Sequence, residues 1–176
     1  MSTQLPYRET EAQRLTFEIL KDSKKLFEGI DVNDWDAVKK RLQSIKELNL
    51  SGYGKISDLS IVGEMTGLKK LEFSNTEVED ISWAKSLKKL VRIRFNATPV
   101  RGLKSLAALE ELATIRANQC SQLTPADIEA IFDLPANSLT NLYLRRTSPE
   151  LEPVVRRMRE IYYGRVEIEY DFSTRR

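Results

Sequence analysis

The sequence predicts an α/β fold in which about six short parallel strands stack into a curved solenoid behind an N-terminal helical cap. An apolar spacing of the form L-x-x-L-x-L-x-x-T-x-V occupies residues 68–78 and returns at residues 90–100. Weaker copies follow along most of the chain. A single unit of this kind has an apolar side that nothing covers, so neighbouring units must stack on one another to fold.

The strands are expected at the centre of each copy. The fourth position of the motif is occupied by Leu48, Leu71, Ile93, Ile115 and Leu142, with a weaker sixth copy at Val166. The steps from Leu71 to Ile93 and from Ile93 to Ile115 are both 22 residues, which is difficult to obtain by chance. The longer first step fits a looser turn at Gly52 and Gly54.

Helices are predicted in four places. An apolar face with 3.6-residue spacing runs from Glu9 to Glu28 with Gly29 as its stop, and Asn33 is expected to cap a second helix. Thr124 is expected to cap a helix in the long fourth repeat, with Pro125 in its first turn. The last helix begins at Ser148 or at Glu152. Its expected apolar side contains Leu151, Val154, Val155, Met158, Ile161 and Tyr162.

The repeat motif resembles the leucine-rich repeat, and its short central return segments resemble those of internalin-like bacterial repeats. This resemblance implies a solenoid over residues 45–176 with a C-terminal cap, preceded by a tail and helical cap at residues 1–44. It also implies a binding module such as an adaptor, an inhibitor or a delivered bacterial effector. The family usually places Asn at the turn after each strand. This chain has Thr76, Thr98, Cys120 and Thr147 there, and we expect the hydroxyls to bond locally.

Composition narrows the classes of function. The net charge of +2 gives no strong overall field for nucleic acid or membrane. Histidine is absent and Cys120 is the single cysteine, so the commonest general base and a disulfide are both missing. The start of the chain lacks the apolar centre of a signal peptide. We therefore expect a non-catalytic protein that is cytoplasmic or delivered without a signal peptide, with no metal or cofactor and no membrane insertion, and we favour a monomer.

The concave face of the solenoid is the candidate site, because side chains between the core positions of each strand alternate to that side. Its middle is basic, whereas both ends are acidic, with Glu47 at one end and Glu167 and Glu169, beside Arg165, at the other. Arginine presents a planar fork suited to carboxylates and phosphates, and Tyr and Arg often anchor interfaces. The predicted binding residues are Lys70, Arg92, Arg94, Arg116, Asn118, Tyr143, Arg145 and Arg146.

Three interpretations of this face remain open at the level of sequence. The first is docking of a partner protein with an acidic surface. The second is RNA or phosphate binding along the same groove, against which the near-zero net charge and Glu72 count. The third is a solvated strand face whose charges only keep the parallel sheet soluble. The N-terminal helix also has two interpretations, as a structural cap or as a docking helix.

Overall fold

The computed structural model describes residues 9–134 and 138–172. Within these residues, six strands lie side by side in chain order, and every neighbouring pair is parallel. The predicted solenoid sheet is therefore confirmed. The strands are β1 (Glu47–Asn49), β2 (Lys70–Glu72), β3 (Arg92–Arg94), β4 (Thr114–Arg116), β5 (Asn141–Thr147) and β6 (Glu167–Phe172).

The core is a stack of equivalent apolar positions. Leu71, Ile93, Ile115 and Leu142 are register partners across neighbouring strands, and each is fully buried. Two residues further along each repeat, equivalent residues also stack, as shown by the rings of Phe73 and Phe95 with centroids 5.7 Å apart. Each such side chain contributes about 1.5 to 3 kcal/mol on burial.

The return segments close each repeat. The first three repeats return through short 3-10 helices at Ser60–Glu64, Ser82–Ser86 and Leu103–Ala108. The fourth returns through α3 (Pro125–Glu129), which begins with the predicted Thr124 cap and Pro125 in its first turn. The buried Asp127 carboxylate accepts hydrogen bonds from Thr124 and also from the backbone N–H of Gly102 in the previous repeat, at 2.8 Å. Asp127 thus ties two repeats together.

The turn residues behave as predicted. The hydroxyls of Thr76, Thr98 and Thr147 donate to the carbonyl oxygens three residues earlier, at 2.7 to 2.8 Å. The Cys120 thiol occupies the equivalent position and donates to the Phe95 carbonyl at 3.1 Å. The extra residue of the first repeat follows Gly52, in a turn where the Ile56 N–H donates to the Tyr53 carbonyl.

The N-terminal cap differs from its prediction in detail. The first helix, α1 (Glu11–Glu18), continues as a π-helical segment only to Ser23, so the prediction of a helix through Glu28 was wrong. The wider π turn shifts the helical phase, and the chain reverses at Lys25 with φ 50°. This reversal stacks Phe27 on the buried ring of Phe17, with ring centroids 5.2 Å apart.

The second helix, α2 (Trp35–Ser44), is capped by Asp34, whose carboxylate accepts the Ala37 N–H. The prediction of Asn33 as the cap was wrong by one residue, because the Asn33 N–H donates to Asp31. Val38 and Leu42 of α2 are fully buried and cover the first repeat.

The C-terminal end contains α4 (Glu152–Ile161), preceded by a 3-10 turn at Pro149–Leu151. The α-helix begins at the later of the two expected sites, while Ser148 caps the preceding turn. Ile161, expected on the apolar side, has 52% of its surface exposed because it ends the helix beyond the core. The loose tail predicted at residues 1–8 and the last four residues lie outside the described part of the chain.

The register of β6 corrects the sixth repeat. Ile168 pairs with Leu142, whereas the sequence pattern had placed Val166 there. Because strand side chains alternate with a period of two, this two-residue shift leaves Glu167 and Glu169 on the predicted side. Arg165, however, precedes β6 and is not part of the strand face.

Candidate interaction face

The concave face consists of three rows of side chains that cross the sheet. The first row contains Glu47, Lys70, Arg92, Thr114, Asn141 and Glu167, and the second contains Asn49, Glu72, Arg94, Arg116, Tyr143 and Glu169. The third row follows the strands and contains Ser51, Ser74, Asn96, Asn118 and Arg145. The structure thus brings together seven of the predicted binding residues, from Lys70 to Arg145, on these rows.

The third row is mainly a hydrogen-bond ladder. Each of its oxygens accepts a backbone N–H from the next repeat: Ser74 Oγ accepts from Asn96 at 3.0 Å, and Asn96 Oδ1 accepts from Asn118 at 3.0 Å. Asn118 Oδ1 in turn accepts the Arg145 N–H at 2.8 Å. Asn118, predicted as a binding residue, therefore holds two repeats together through its oxygen.

Ion pairs between neighbouring strands neutralise part of the predicted basic surface. Lys70 pairs with Glu47 at 2.6 Å, and Arg94 with Glu72 at 3.3 Å. Near the C-terminal end, Arg145 pairs with Glu169 at 2.7 Å. The acids that the sequence pattern placed around the basic middle are therefore direct partners of three of its bases.

The middle of the face keeps an arginine centre, which we define as Arg92, Arg94, Arg116 and Tyr143. Arg94 and Arg116 are register partners on β3 and β4, and the Arg116 guanidinium lies over the Tyr143 ring at 4.3 Å. Among the described residues, Arg92 and Arg116 have no carboxylate within 4 Å. The Nε atoms of Arg94 and Arg116 are buried without a hydrogen-bond partner in this part of the chain. Positive charge is thus concentrated here.

Arg146 has a different role from the other predicted residues. It lies near the end of β5 with a left-handed backbone, φ 55°, at the position that Asn75, Ala97 and Gln119 fill after the strands of earlier repeats. Its backbone N–H donates to Asp171 Oδ1 at 2.6 Å, and the residue is exposed at the edge of the face. Asp171 was missed from sequence, although it continues the two-residue spacing of Glu167 and Glu169, which was the available signal.

The single cysteine is a poor candidate for a catalytic nucleophile. Cys120 is fully buried, and this burial raises the pKa of its thiol above the ordinary value of 9.0, which opposes formation of a nucleophilic thiolate. The described residues include no group of three or more Cys, Asp or Glu side chains arranged to hold a metal ion. In residues 9–134 and 138–172, no helix is long and apolar enough to span a bilayer.

The parallel strands, single-turn returns and turn hydroxyls together define the leucine-rich repeat fold. An internalin (InlF) from Listeria monocytogenes is similar with a TM-score of 0.61 and 24% identity, over 79% of this chain and 38% of the internalin chain. Internalin C2 (InlC2) from the same species is similar with a TM-score of 0.58 and 22% identity, over 82% of this chain and 58% of its own.

These similarities show that the chain has the leucine-rich repeat fold, which confirms the resemblance found in the sequence. This chain spans less than two thirds of the length of either internalin. No protein-family model matches the chain, and no curated protein sequence matches it.

Proposed function

We propose that the protein is a non-catalytic protein-protein interaction module whose concave face binds a partner protein through an acidic segment. The single observation that carries this proposal is the arginine centre, where Arg94 and Arg116 lie side by side on neighbouring strands. Arg94 is paired with Glu72, whereas Arg92 and Arg116 have no carboxylate within 4 Å among the described residues, so the remaining positive charge of the centre favours an anionic partner. The adaptor, inhibitor or effector type of module is compatible with this role.

The charges around the centre describe the partner further. Glu47 and Glu72 lie on the N-terminal side, and Glu167, Glu169 and Asp171 lie on the C-terminal side. A complementary surface is acidic in its middle and has basic groups on both sides. Electrostatic complementarity of this kind mainly determines specificity and association rate.

Tyr143 supports a protein partner over a nucleic acid. It is half-buried, its ring is already stacked with Arg116, and such aromatic and arginine residues are typical anchors at protein interfaces. Nucleic-acid binding along the same groove is less well supported, because Glu72 and Glu169 would lie against the phosphates. Single-strand binding also commonly uses several aromatic platforms.

The test is affinity capture from cells of the source organism, followed by mass spectrometry, with the double variant Arg94→Glu/Arg116→Glu. We expect the captured partner to bind this variant at least about 30-fold more weakly, because hot-spot residues cost 2 kcal/mol or more when removed. The matched control is Lys85→Glu/Lys104→Glu, which makes the same charge change at exposed return positions.

Circular dichroism of both variants checks that the fold is retained. A partner captured equally by both double variants would contradict the proposal. Loss of the partner after nuclease treatment, together with a steep decrease of affinity with added salt, would instead indicate nucleic-acid binding.

A further inference from the structure

The outer edge of β6 presents backbone groups that the earlier strands use to bind their successors. In four repeats, the residue at one position donates its N–H forward to the next strand: Leu50 to Glu72, Phe73 to Arg94, Phe95 to Arg116 and Ala117 to Tyr143, at 2.7 to 2.9 Å. The register places Tyr170 at this position in β6. Its N–H therefore points to the side where no further strand lies among the described residues.

Two acidic side chains of β6, Glu167 and Asp171, lack the kind of basic partner that acids on the earlier strands have in the described residues. On the N-terminal side of the sheet, each acid is paired with a base on the next strand, as in Glu47 with Lys70 and Glu72 with Arg94. The carboxylates of Glu167 and Asp171 accept neutral donors from the β5 side, the Asn141 amide and the Arg146 N–H. Neither has a basic side chain within 4 Å in the described residues.

The other side of β6 is apolar and incompletely covered. Ile168 and Tyr170 are half-buried, and Phe172 has 41% of its surface exposed. A cavity of about 430 Å³ lies beside this end of the strand, lined by Val155 of α4, Tyr170 and Phe172 together with the charged residues Glu152, Arg156, Arg159 and Asp171. This edge thus combines an outward backbone donor at Tyr170, an acidic side and a partly apolar side with space next to it.

We propose that the β6 edge accepts an extended segment of a partner protein as an added strand, and that this segment alternates basic and apolar residues. Strand addition to an exposed edge obtains affinity from backbone hydrogen bonds and specificity from alternate side chains. The basic residues of the added strand would face Glu167 and Asp171, as Lys70 faces Glu47. The apolar residues would pack beside Tyr170 and Phe172. This inference is independent of the function proposed for the arginine centre.

A second copy of the chain fits this edge poorly. In an antiparallel pair of β6 strands, Glu167, Glu169 and Asp171 of both copies lie on the same side and face one another. Like charges directly opposite are destabilising, and acidic edges of this kind discourage self-association. A basic partner strand has no such repulsion.

Arg159 modulates access to the edge. Its Nη2 donates to the Ile168 carbonyl at 3.0 Å, so one backbone acceptor of β6 is already occupied from α4. An added strand must either begin beyond Ile168 or displace this guanidinium. We expect the variant Arg159→Ala to bind the strand about as tightly as the unmodified protein or more tightly.

The direct test measures binding of synthetic seven-residue peptides by fluorescence anisotropy to the full chain. The probe alternates lysine and valine, and the matched control has the same composition in two blocks. A third peptide repeats the probe with N-methylated backbone amides, which cannot form a strand ladder. We expect the alternating peptide to bind at least 10-fold more tightly than both controls.

Two pairs of protein variants locate the site. Proline is tolerated on an edge strand where the lost N–H faces outward, so Tyr170→Pro removes the outward donor and Tyr170→Ala is its control for the lost ring. Glu167→Lys/Asp171→Asn removes the acidic side, with Glu110→Lys/Glu111→Gln as the matched change on an exposed return segment. We expect Tyr170→Pro and Glu167→Lys/Asp171→Asn to bind at least 10-fold more weakly than their controls.

The outcomes separate the alternatives. Equal binding of the block peptide or the N-methylated peptide would overturn the proposal, since charge alone would then explain the affinity. The proposal would also fail if light scattering showed a dimer that Tyr170→Pro abolishes, because a second copy would then occupy the edge. Unchanged peptide binding by Arg94→Glu/Arg116→Glu would show that this site is distinct from the concave face.

Discussion

The two ends of the solenoid are closed in different ways. At the N-terminal end, α1 and α2 cover the first repeat, and Leu48 of β1 has only 5% of its surface exposed. At the C-terminal end, Ile168 occupies the same column of the sheet in β6 but remains half-buried. The difference shows that burial in this protein depends on a neighbour on both sides of each repeat, as expected for a solenoid.

The two ends also differ in how they are anchored to the neighbouring repeat. The N-terminal cap is anchored to the solenoid where the Thr16 hydroxyl donates to the Asp58 carbonyl at 2.6 Å. The C-terminal strand β6 has six residues, more than the three of each of β1 to β4, and its register with β5 is interrupted by a bulge between Leu144 and Thr147. Stability should therefore be concentrated at the first end, and access to binding segments at the second.

The largest expected effect on the free energy of unfolding comes from replacing a phenylalanine by alanine, once at each end of the solenoid. Phe17→Ala removes a buried ring stacked on Phe27 at 5.2 Å and should lower the free energy of unfolding by about 3 to 5 kcal/mol. Phe172→Ala removes an exposed ring at the other end and should cost less than about 1 kcal/mol. Urea denaturation followed by circular dichroism measures both values. Equal losses would show that the ends do not differ.

The next largest effect on stability comes from replacing an isoleucine of one sheet column by alanine, once in the middle of the sheet and once at its end. Ile93→Ala leaves a cavity in a fully buried position and should lower the free energy of unfolding by about 2 to 5 kcal/mol. Ile168→Ala makes the same change in β6, where water already reaches the side chain, and should cost about 1 kcal/mol. Thermal and urea denaturation of the two variants provide the measurement. A larger loss for Ile168→Ala would contradict the role of a second neighbour.

The smallest effect concerns pH and the buried middle of the solenoid. Burial raises the pKa of the Cys120 thiol above 9.0, so the folded state holds this proton more tightly than the unfolded state does. The resulting stability is complete below pH 9 and is lost as the pH rises through the folded-state pKa, by at most about 1.4 kcal/mol per pH unit. Cys120→Ala should lack this contribution. Urea denaturation at pH 7, 9 and 10 compares the two proteins, and parallel pH profiles would contradict the prediction.

The sequence pattern predicted the repeats well where they are regular. Leu71, Ile93 and Ile115 recur at an equal spacing because each must occupy the same place in the stack, and the structure confirms their register. The prediction lost accuracy at the ends. There, the π-helical turn after α1 and the shift of β6 from Val166 to Ile168 depend on contacts with distant segments, which local periodicity does not contain.

The candidate face was predictable as a set of residues but not as an electrostatic surface. Alternation along each strand correctly placed Arg94, Arg116 and Tyr143 on one side. Which bases remain unpaired depends on side-chain distances between strands, such as the 2.7 Å between Arg145 and Glu169. The ladder role of Asn118 depends in the same way on the position of the next repeat.

By itself, the sequence determined the stacking of this protein, because recurring apolar residues with one uncovered side can be buried in no other way than against their own copies. The tertiary structure alone decided which arginines form the centre and how fully each end of the described sheet is buried. Both depend on cross-strand distances of a few ångströms and on the packing of helices far away in the chain. A one-dimensional pattern specifies which residues share a face, while the geometry specifies which of them are free to bind.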